Sequence, residues 1–317
     1  MTDQATLAAA DHAARSWAAP AGGALRPGSD GHKTAFCRML LETHNPYKPS
    51  IITWPQLDPE ARDRLVALPI WDIAVQTEGK AKTRVLTYAG LIADPLLRQA
   101  VELDGFEEGR HKEVLSNLVR TYGIRLEPEP DYLPPRHPEL AWMTTGFSEC
   151  IDSFFAFGLF ALARRSGFFP PELVDTFEPV MQEEARHILF FVNWVAWHRR
   201  NLAWWRRPLF WAKVVWVWGG LVRERIGLAR GVGAKDGVKD KDKATAPDNN
   251  FTLTGSKAVS DIDIAPAALI DLCLEENDRR LAGYDPRLLR PATVPRLVRL
   301  IRRFLRNPPP NVAGSRA

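Results

Sequence analysis

Two tetrapeptides of the same form, Glu108-Gly109-Arg110-His111 and Glu184-Ala185-Arg186-His187, constrain this chain more than any other feature in it. Residues three apart on an α-helix are near neighbours on one face, so each Glu-x-x-His presents a carboxylate and an imidazole together. One such tetrapeptide is common by chance and usually marks a solvated helix surface. Here each has a further glutamate upstream at a matched distance: Glu78 lies 30 residues before Glu108, and Glu149 lies 35 before Glu184. At about 1.5 Å rise per residue, two antiparallel helices of ~25 residues joined by a short connection bring positions ~30 to 36 apart to one level. The spacing predicts four helices, each with one carboxylate facing inward.

Apolar periodicity supports that plan. Trp71, Ala74, Glu78, Ala81, Val85, Tyr88 and Ile92 recur at helical steps, and only the glutamate breaks an apolar stripe. Asp94 and Pro95 open a second helix whose stripe runs through Leu97, Val101, Asp104, Glu108, His111, Leu115, Leu118 and Tyr122 to Gly123. A third carries Trp142, Thr145, Glu149, Asp152, Ala156, Leu159 and Ala163 up to Gly167, and a fourth, from 171 to 198, carries Phe177, Val180, Glu184, His187, Phe191 and Trp194. The expected fold is all-α: an antiparallel four-helix bundle with extra helices on its N- and C-terminal sides. Asp58 and Pro59 predict a short helix before the bundle, ended by Leu68-Pro69.

The expected organisation is an irregular N-terminal extension over 1–50, broken by the Pro/Gly-rich stretch from Ala18 to Gly31, then a bundle over 51–229 that ends in a Trp-rich extension from about 202. The charged stretch within 230–260 predicts a disordered linker, and 261–317 a basic helical tail with helices over 265–283 and 294–306.

If the four helices pack as predicted, Glu78, Glu108, His111, Glu149, Glu184 and His187 converge. Four carboxylates and two imidazoles can hold a pair of divalent ions with coordination positions left open, and this oxygen and nitrogen set suits iron or manganese better than thiolate-seeking metals. The competing reading, four unrelated core carboxylates satisfied by Arg or Lys, requires costly burial of charge. Asp104 and Asp152, one turn from Glu108 and Glu149, are candidates to orient a ligand histidine, and Tyr88 either packs or relays electrons. Arg110 and Arg186, at the same place in both tetrapeptides, are expected to point away from the metals and bridge to neighbouring helices. His12, His32, His44, His137 and His198 have no ligand spacing and are expected at the surface.

On these residues the chain resembles the ferritin-like di-iron carboxylate superfamily, whose pattern is Glu, Glu-x-x-His, Glu, Glu-x-x-His on four successive helices. The resemblance covers roughly 71–200. It implies that Glu78, Glu108 and His111 serve one metal and Glu149, Glu184 and His187 the other, with Glu108 and Glu184 bridging. It implies two iron ions, with manganese or a mixed Fe/Mn pair as alternatives. The activity it implies is that of an O2-dependent oxidase or monooxygenase, of hydroxylase or desaturase type, needing an electron donor. Chain length and the Trp-rich segment speak against a ferritin shell, and no CxxC…CxxC module of the rubrerythrin kind is present. Spacing is similar to that of ubiquinone-pathway hydroxylases, whereas Val180 stands where arylamine N-oxygenases carry an extra histidine. A different class also fits these residues: a non-catalytic metal-binding or scaffold protein of the same fold.

Composition narrows the partners. With 42 Lys and Arg against 38 Asp and Glu, the formal charge of +4 argues against a nucleic-acid partner. Cys37, Cys150 and Cys273 are widely spaced, which fits a reducing cytoplasm without structural disulfides, and the N-terminus lacks a secretory pattern. The segment 202–228 is strongly apolar, but Arg206, Arg207, Lys213, Arg223, Glu224 and Arg225 leave no run of the ~20 residues a membrane span needs. Its Trp204, Trp205, Trp211, Trp216 and Trp218 suit a membrane interface on the cytoplasmic side. They equally suit a fifth helix packed on the bundle or in a homodimer interface. A lipid contact would favour a lipid-soluble substrate over a soluble metabolite, and the basic C-terminal helix would add attraction to anionic lipid.

Overall fold

Three helix starts are written in side chains that accept from the helix's own first turn: Ser29 Oγ from the His32 N–H, Asp58 Oδ1 from the Ala61 N–H, and Asp94 Oδ1 from the Leu97 N–H. Two ends are written in glycine, since Gly123 and Gly167 adopt the left-handed region at φ 70° and 67°. The computed structural model describes residues 4–20, 22–233 and 264–305. Among these the chain is all-helical: α1 (Gln4–Ala14), α2 (Asp30–Glu42), α3 (Pro59–Ala67), α4 (Trp71–Ala89), α5 (Pro95–Tyr122), α6 (Pro138–Ser166), α7 (Pro171–Thr176), α8 (Glu178–Asn201), α9 (Arg207–Gly233), α10 (Pro266–Leu281) and α11 (Thr293–Arg302). Short 3₁₀ turns precede α3 at Pro49–Ile51 and α9 at Trp204–Arg206.

Residue pairs fix the packing directions. Gly105 lies against Leu86, Gly109 against Lys82, and His111 faces Glu78, so α5 runs antiparallel to α4. Gly146 meets Phe191 and Ser153 bonds Glu184, which sets α6 antiparallel to α8. Arg110 reaches Glu183 and Arg186 reaches Glu107, so α5 and α8 are antiparallel as well. Gly146 is required at its position because a Cβ there would overlap the Phe191 ring. Between these helices lies a core of large side chains, among them Trp142, Phe154, Phe157, Phe190, Phe191 and Trp194, each 1% exposed or less. Burial of that many rings is the main source of stability here.

Several expectations are corrected. Residues 1–50 are not an irregular extension: α2 lies antiparallel on α8, with His32 bonded to Asn193, Phe36 against Phe190, and Leu40 O accepting from Arg186. Its buried His32, Ala35, Phe36, Met39 and Leu40 follow helical spacing that the flanking Gly/Pro-rich stretch obscures. The fourth predicted helix is two, α7 and α8, divided at Phe177. Pro179 has no N–H to give and its ring conflicts with the preceding turn, so the helix restarts there. Nor does the C-terminal region stand apart: α10 packs on α6 at Gly158, and Gln182 of α8 donates to Arg280 O and Tyr284 Oη. Of the predicted linker, 230–233 close α9, and 234–260 lie outside the described residues. Cys37, Cys150 and Cys273 are free and buried.

Candidate metal centre

The antiparallel registers bring α4, α5, α6 and α8 to a common level at Glu78, Glu108, Glu149 and Glu184. Ligand atoms of Glu78, Glu108, His111 and Glu184 lie within 4.8 Å of one another, and those of Asp104, Glu108 and His187 do likewise, a spacing that could hold metal ions. Glu108 belongs to both groups. His111 Nδ1 stands 3.2 Å from Glu184 Oε1 and 3.7 Å from Glu78 Oε2, and His187 Nδ1 stands 2.9 Å from Glu108 Oε1. Glu149 lines the same cavity but joins neither group.

Around this inner ring α5 and α8, with the end of α2 and the segment that follows it, build an outer one. Glu107 accepts from His187 Nε2 at 2.8 Å, from Arg186 Nη1 at 3.0 Å and from His44 Nδ1 at 2.6 Å. Glu183 accepts from His111 Nε2 at 2.8 Å, from Arg110, and from the Tyr47 hydroxyl at 3.2 Å. The arrangement is reciprocal: the Glu just before each tetrapeptide takes the Arg and the His of the other. Arg186 also bonds Thr43 Oγ1 at 2.7 Å and Leu40 O at 2.5 Å, and Arg110 bonds Asn45 O at 2.6 Å and lies 4.0 Å from the Tyr47 ring centre. Both arginines bridge to the facing helix, as expected.

The outer ring orients the imidazoles. Burial alone would push the Glu107 carboxyl up, but Arg186, His187 and His44 hold it well below the usual carboxylate range. An ionised Glu107 only accepts, so His187 Nε2 carries the proton and, in the neutral ring, Nδ1 turns a lone pair to the inner ring. A carboxylate behind an imidazole is the usual support of a metal-binding histidine.

The inner ring is the opposite case. Burial and the neighbouring carboxylates drive Glu108 and Glu149 well above the ordinary range, and burial pushes Asp104 up to about 6. Burial lowers both imidazoles, yet the carboxylates around His111 and His187 outweigh it and hold both well above the usual value. Both Asp104 oxygens, Glu108 Oε1, Glu149 Oε1, His111 Nδ1 and His187 Nδ1 are buried without a hydrogen bond of acceptable geometry. Buried polar atoms are rarely left so, and six in one place form a donor set that fits divalent cations.

The three residues expected to support the ligands behave differently. Asp104 groups with Glu108 and His187, within 4.8 Å of both, and is counted with the inner ring; the supporting place behind His187 is already filled by Glu107. Asp152 bonds Arg225 of α9 at 2.7 Å and Ser148 at 2.8 Å instead of a histidine. Tyr88 is stacked on Trp142 at 5.7 Å and set edge-on to Trp194, a packing role. Of the histidines expected at the surface, His32 is fully buried and His44 supports Glu107, whereas His12 and His137 are exposed. His198 is partly buried, stacked on Trp194. The signal that would have found the outer ring is a longer repeat, Glu-Glu-x-Arg-His, at 107–111 and 183–187.

A cavity of about 210 Å³ opens from the inner ring. Beyond Glu149 its wall follows α6 through Ala156, Phe160 and Ala163, joined by Leu65, Phe169 and Leu173. From Glu149 to Ala163 the helix rises ~21 Å at about 1.5 Å per residue. Polar groups line only the end near the ring, and no Lys or Arg lines the cavity among the described residues.

Compared with known proteins, the chain matches no family model, no curated protein and no solved structure. Fold and site together define an all-helical protein with a buried carboxylate and histidine cluster able to hold metal.

Proposed function

We propose that α4, α5, α6 and α8 form a ferritin-like four-helix bundle holding two iron ions, and that the chain is an O2-dependent oxidase or monooxygenase of an apolar substrate. The observation that carries this reading is the pair of imidazoles whose Nε2 atoms are anchored while their Nδ1 atoms, without a hydrogen bond of acceptable geometry, face the carboxylates of the inner ring. His111 with Glu78, Glu108 and Glu184 would hold one ion, and His187 with Asp104, Glu108 and Glu149 the other. Glu184 sits with the His111 group, so Glu108 is the better candidate for a bridge. Manganese or a mixed pair would fit the same donors.

When bound and reduced, such an iron pair supplies electrons to O2 and lets the reaction oxidise a C–H bond, with an external donor restoring the reduced state. The chain does the rest. Glu107 and Glu183 fix the histidine orientation, Ser153 Oγ donates to Glu184 Oε2 at 2.8 Å and limits its rotation, and the apolar cavity excludes water. A neutral hydrocarbon segment is the substrate the cavity suits, since a charge inside it would find no partner along the walls.

The test is to load the purified protein with ferrous iron, reduce it without oxygen, and expose it to O2 beside a Glu184→Ala/His187→Ala variant. About two irons per chain, with an oxygen-dependent absorption change that the variant lacks, is expected. No bound iron, or a change of equal size in the variant, contradicts the proposal.

A further inference from the structure

One face of this molecule leaves large apolar side chains in water. α9 packs on α6 through Phe210, Val214, Val217 and Leu221, each 8% exposed or less, and Arg225 ties it to Asp152. On its other side, between Pro208 and Ile226, every exposed residue except Arg223 is apolar or glycine. Trp216 is 75% exposed, Val215 69% and Leu209 60%, and the preceding turn adds Trp204 at 75%. Single exposed apolar residues need no explanation, but a continuous face with several tryptophans is the mark of an interaction surface.

The charge around it selects the partner. From Arg199 to Ile226 there are seven Lys and Arg against one acid, Glu224; Lys213 pairs with Glu139 and Arg225 with Asp152 and Glu224, so the excess rests on the five arginines at 199, 200, 206, 207 and 223. A second copy docked on this face would set that excess of positive charge against itself. A bilayer with acidic headgroups meets it with opposite charge, while tryptophan rings settle at the level between headgroups and chains. Lying in the plane is the geometry available. Among the described residues only α6 is long and apolar enough to cross a membrane, and 61% of its most apolar window is buried within the protein.

We infer that the outward face of α9, centred on Trp211, Val215 and Trp216, docks on an anionic lipid surface. The arginines at 206 and 223 reach toward headgroup phosphates while the rings and Val215 enter the interface. The docking stands apart from the metal reading, because no residue of the face lines the cavity.

The experiment is vesicle flotation of the full chain with phosphatidylcholine alone and with vesicles containing phosphatidylglycerol as a third of the lipid. Flotation with the anionic vesicles, weakened by salt, is expected. Trp211→Ser/Val215→Ser/Trp216→Ser should lower partitioning about tenfold or more with helicity unchanged, and Arg206→Glu/Arg223→Glu should abolish the preference for anionic lipid. Absence of flotation, or flotation untouched by either variant, overturns the inference. So does a wild-type dimer in sedimentation that the serine variant converts to a monomer, which would assign the face to a second copy.

Discussion

Glu107 and Glu183 each stand one residue before Glu108 and Glu184, and the two pairs live in opposite surroundings. The first pair is buried at 0% and 1% exposure and fully partnered, each by an arginine and an imidazole from the facing motif. The second pair, at 2% and 9% exposure, faces other carboxylates and unbonded nitrogens, and its one hydroxyl partner is Ser153 at Glu184. A helix turns ~100° per residue, so adjacent glutamates point to different neighbours, and one repeat can supply both a satisfied layer and an unsatisfied one. The lesson concerns role. Satisfied buried charge holds the helices in register, and unsatisfied buried charge is kept for something the chain does not itself contain.

That comparison can be broken in three ways. The largest effect is expected at Arg186, which is fully buried: Arg186→Met leaves Glu107 without its main partner and should cost about 3–5 kcal/mol in denaturant unfolding of the metal-free protein. A cost under about 1 kcal/mol would mean that the outer ring is not what holds α5 to α8.

A middle effect is expected from pH. Burial and neighbouring carboxylates hold Glu108 and Glu149 well above the ordinary range in the metal-free protein, and the carboxylates hold His111 and His187 high against burial. At these four groups the folded state therefore keeps protons that the unfolded chain releases. Stability of the metal-free protein should fall as pH rises from about 5.5 to 8, the sign linkage requires. Metal ions compete with those protons, so loading should remove the slope and metal affinity should rise with pH. Thermal unfolding across pH, with and without iron, reads both; a metal-free stability that rises over this range would contradict the inner-ring assignment.

The smallest effect on stability is expected at Glu108. Burial and the neighbouring carboxylates push its carboxyl well above the ordinary range, so the neutral Glu108→Gln should change metal-free stability by less than about 1 kcal/mol while abolishing metal loading. Equal stability costs for Glu108→Gln and Arg186→Met would erase the distinction between the two rings.

Much of this was legible in the chain itself. Asp58, Asp94, Gly123 and Gly167 announced helix ends that the structure places at those residues, and the matched spacing of Glu78, Glu108, Glu149 and Glu184 brought four helices to one level. Less legible was the outer ring, for two physical reasons. Charged residues read as solvated unless a buried partner is known, and the partners of Glu107 and Glu183 come from distant segments. Thr43, His44, Asn45 and Tyr47 reach the ring only because α2 packs on α8, and α2 was hidden by its Pro/Gly-rich approach. Asp104, expected to orient a ligand histidine, groups with Glu108 and His187 instead, because periodicity fixes the face of a helix but not the distances across it. The restart at Phe177 was signalled by Pro179 and overridden by an apolar stripe running through it.

Diffraction at the iron absorption edge from iron-loaded crystals reads whether the inner ring holds two metal ions between the anchored imidazoles. Two anomalous peaks inside the ring are expected, one beside His111 Nδ1 and one beside His187 Nδ1, with Glu108 between them. No peak there, or iron only at surface carboxylates, would contradict the account and leave an all-helical protein with an unexplained cluster of buried acids.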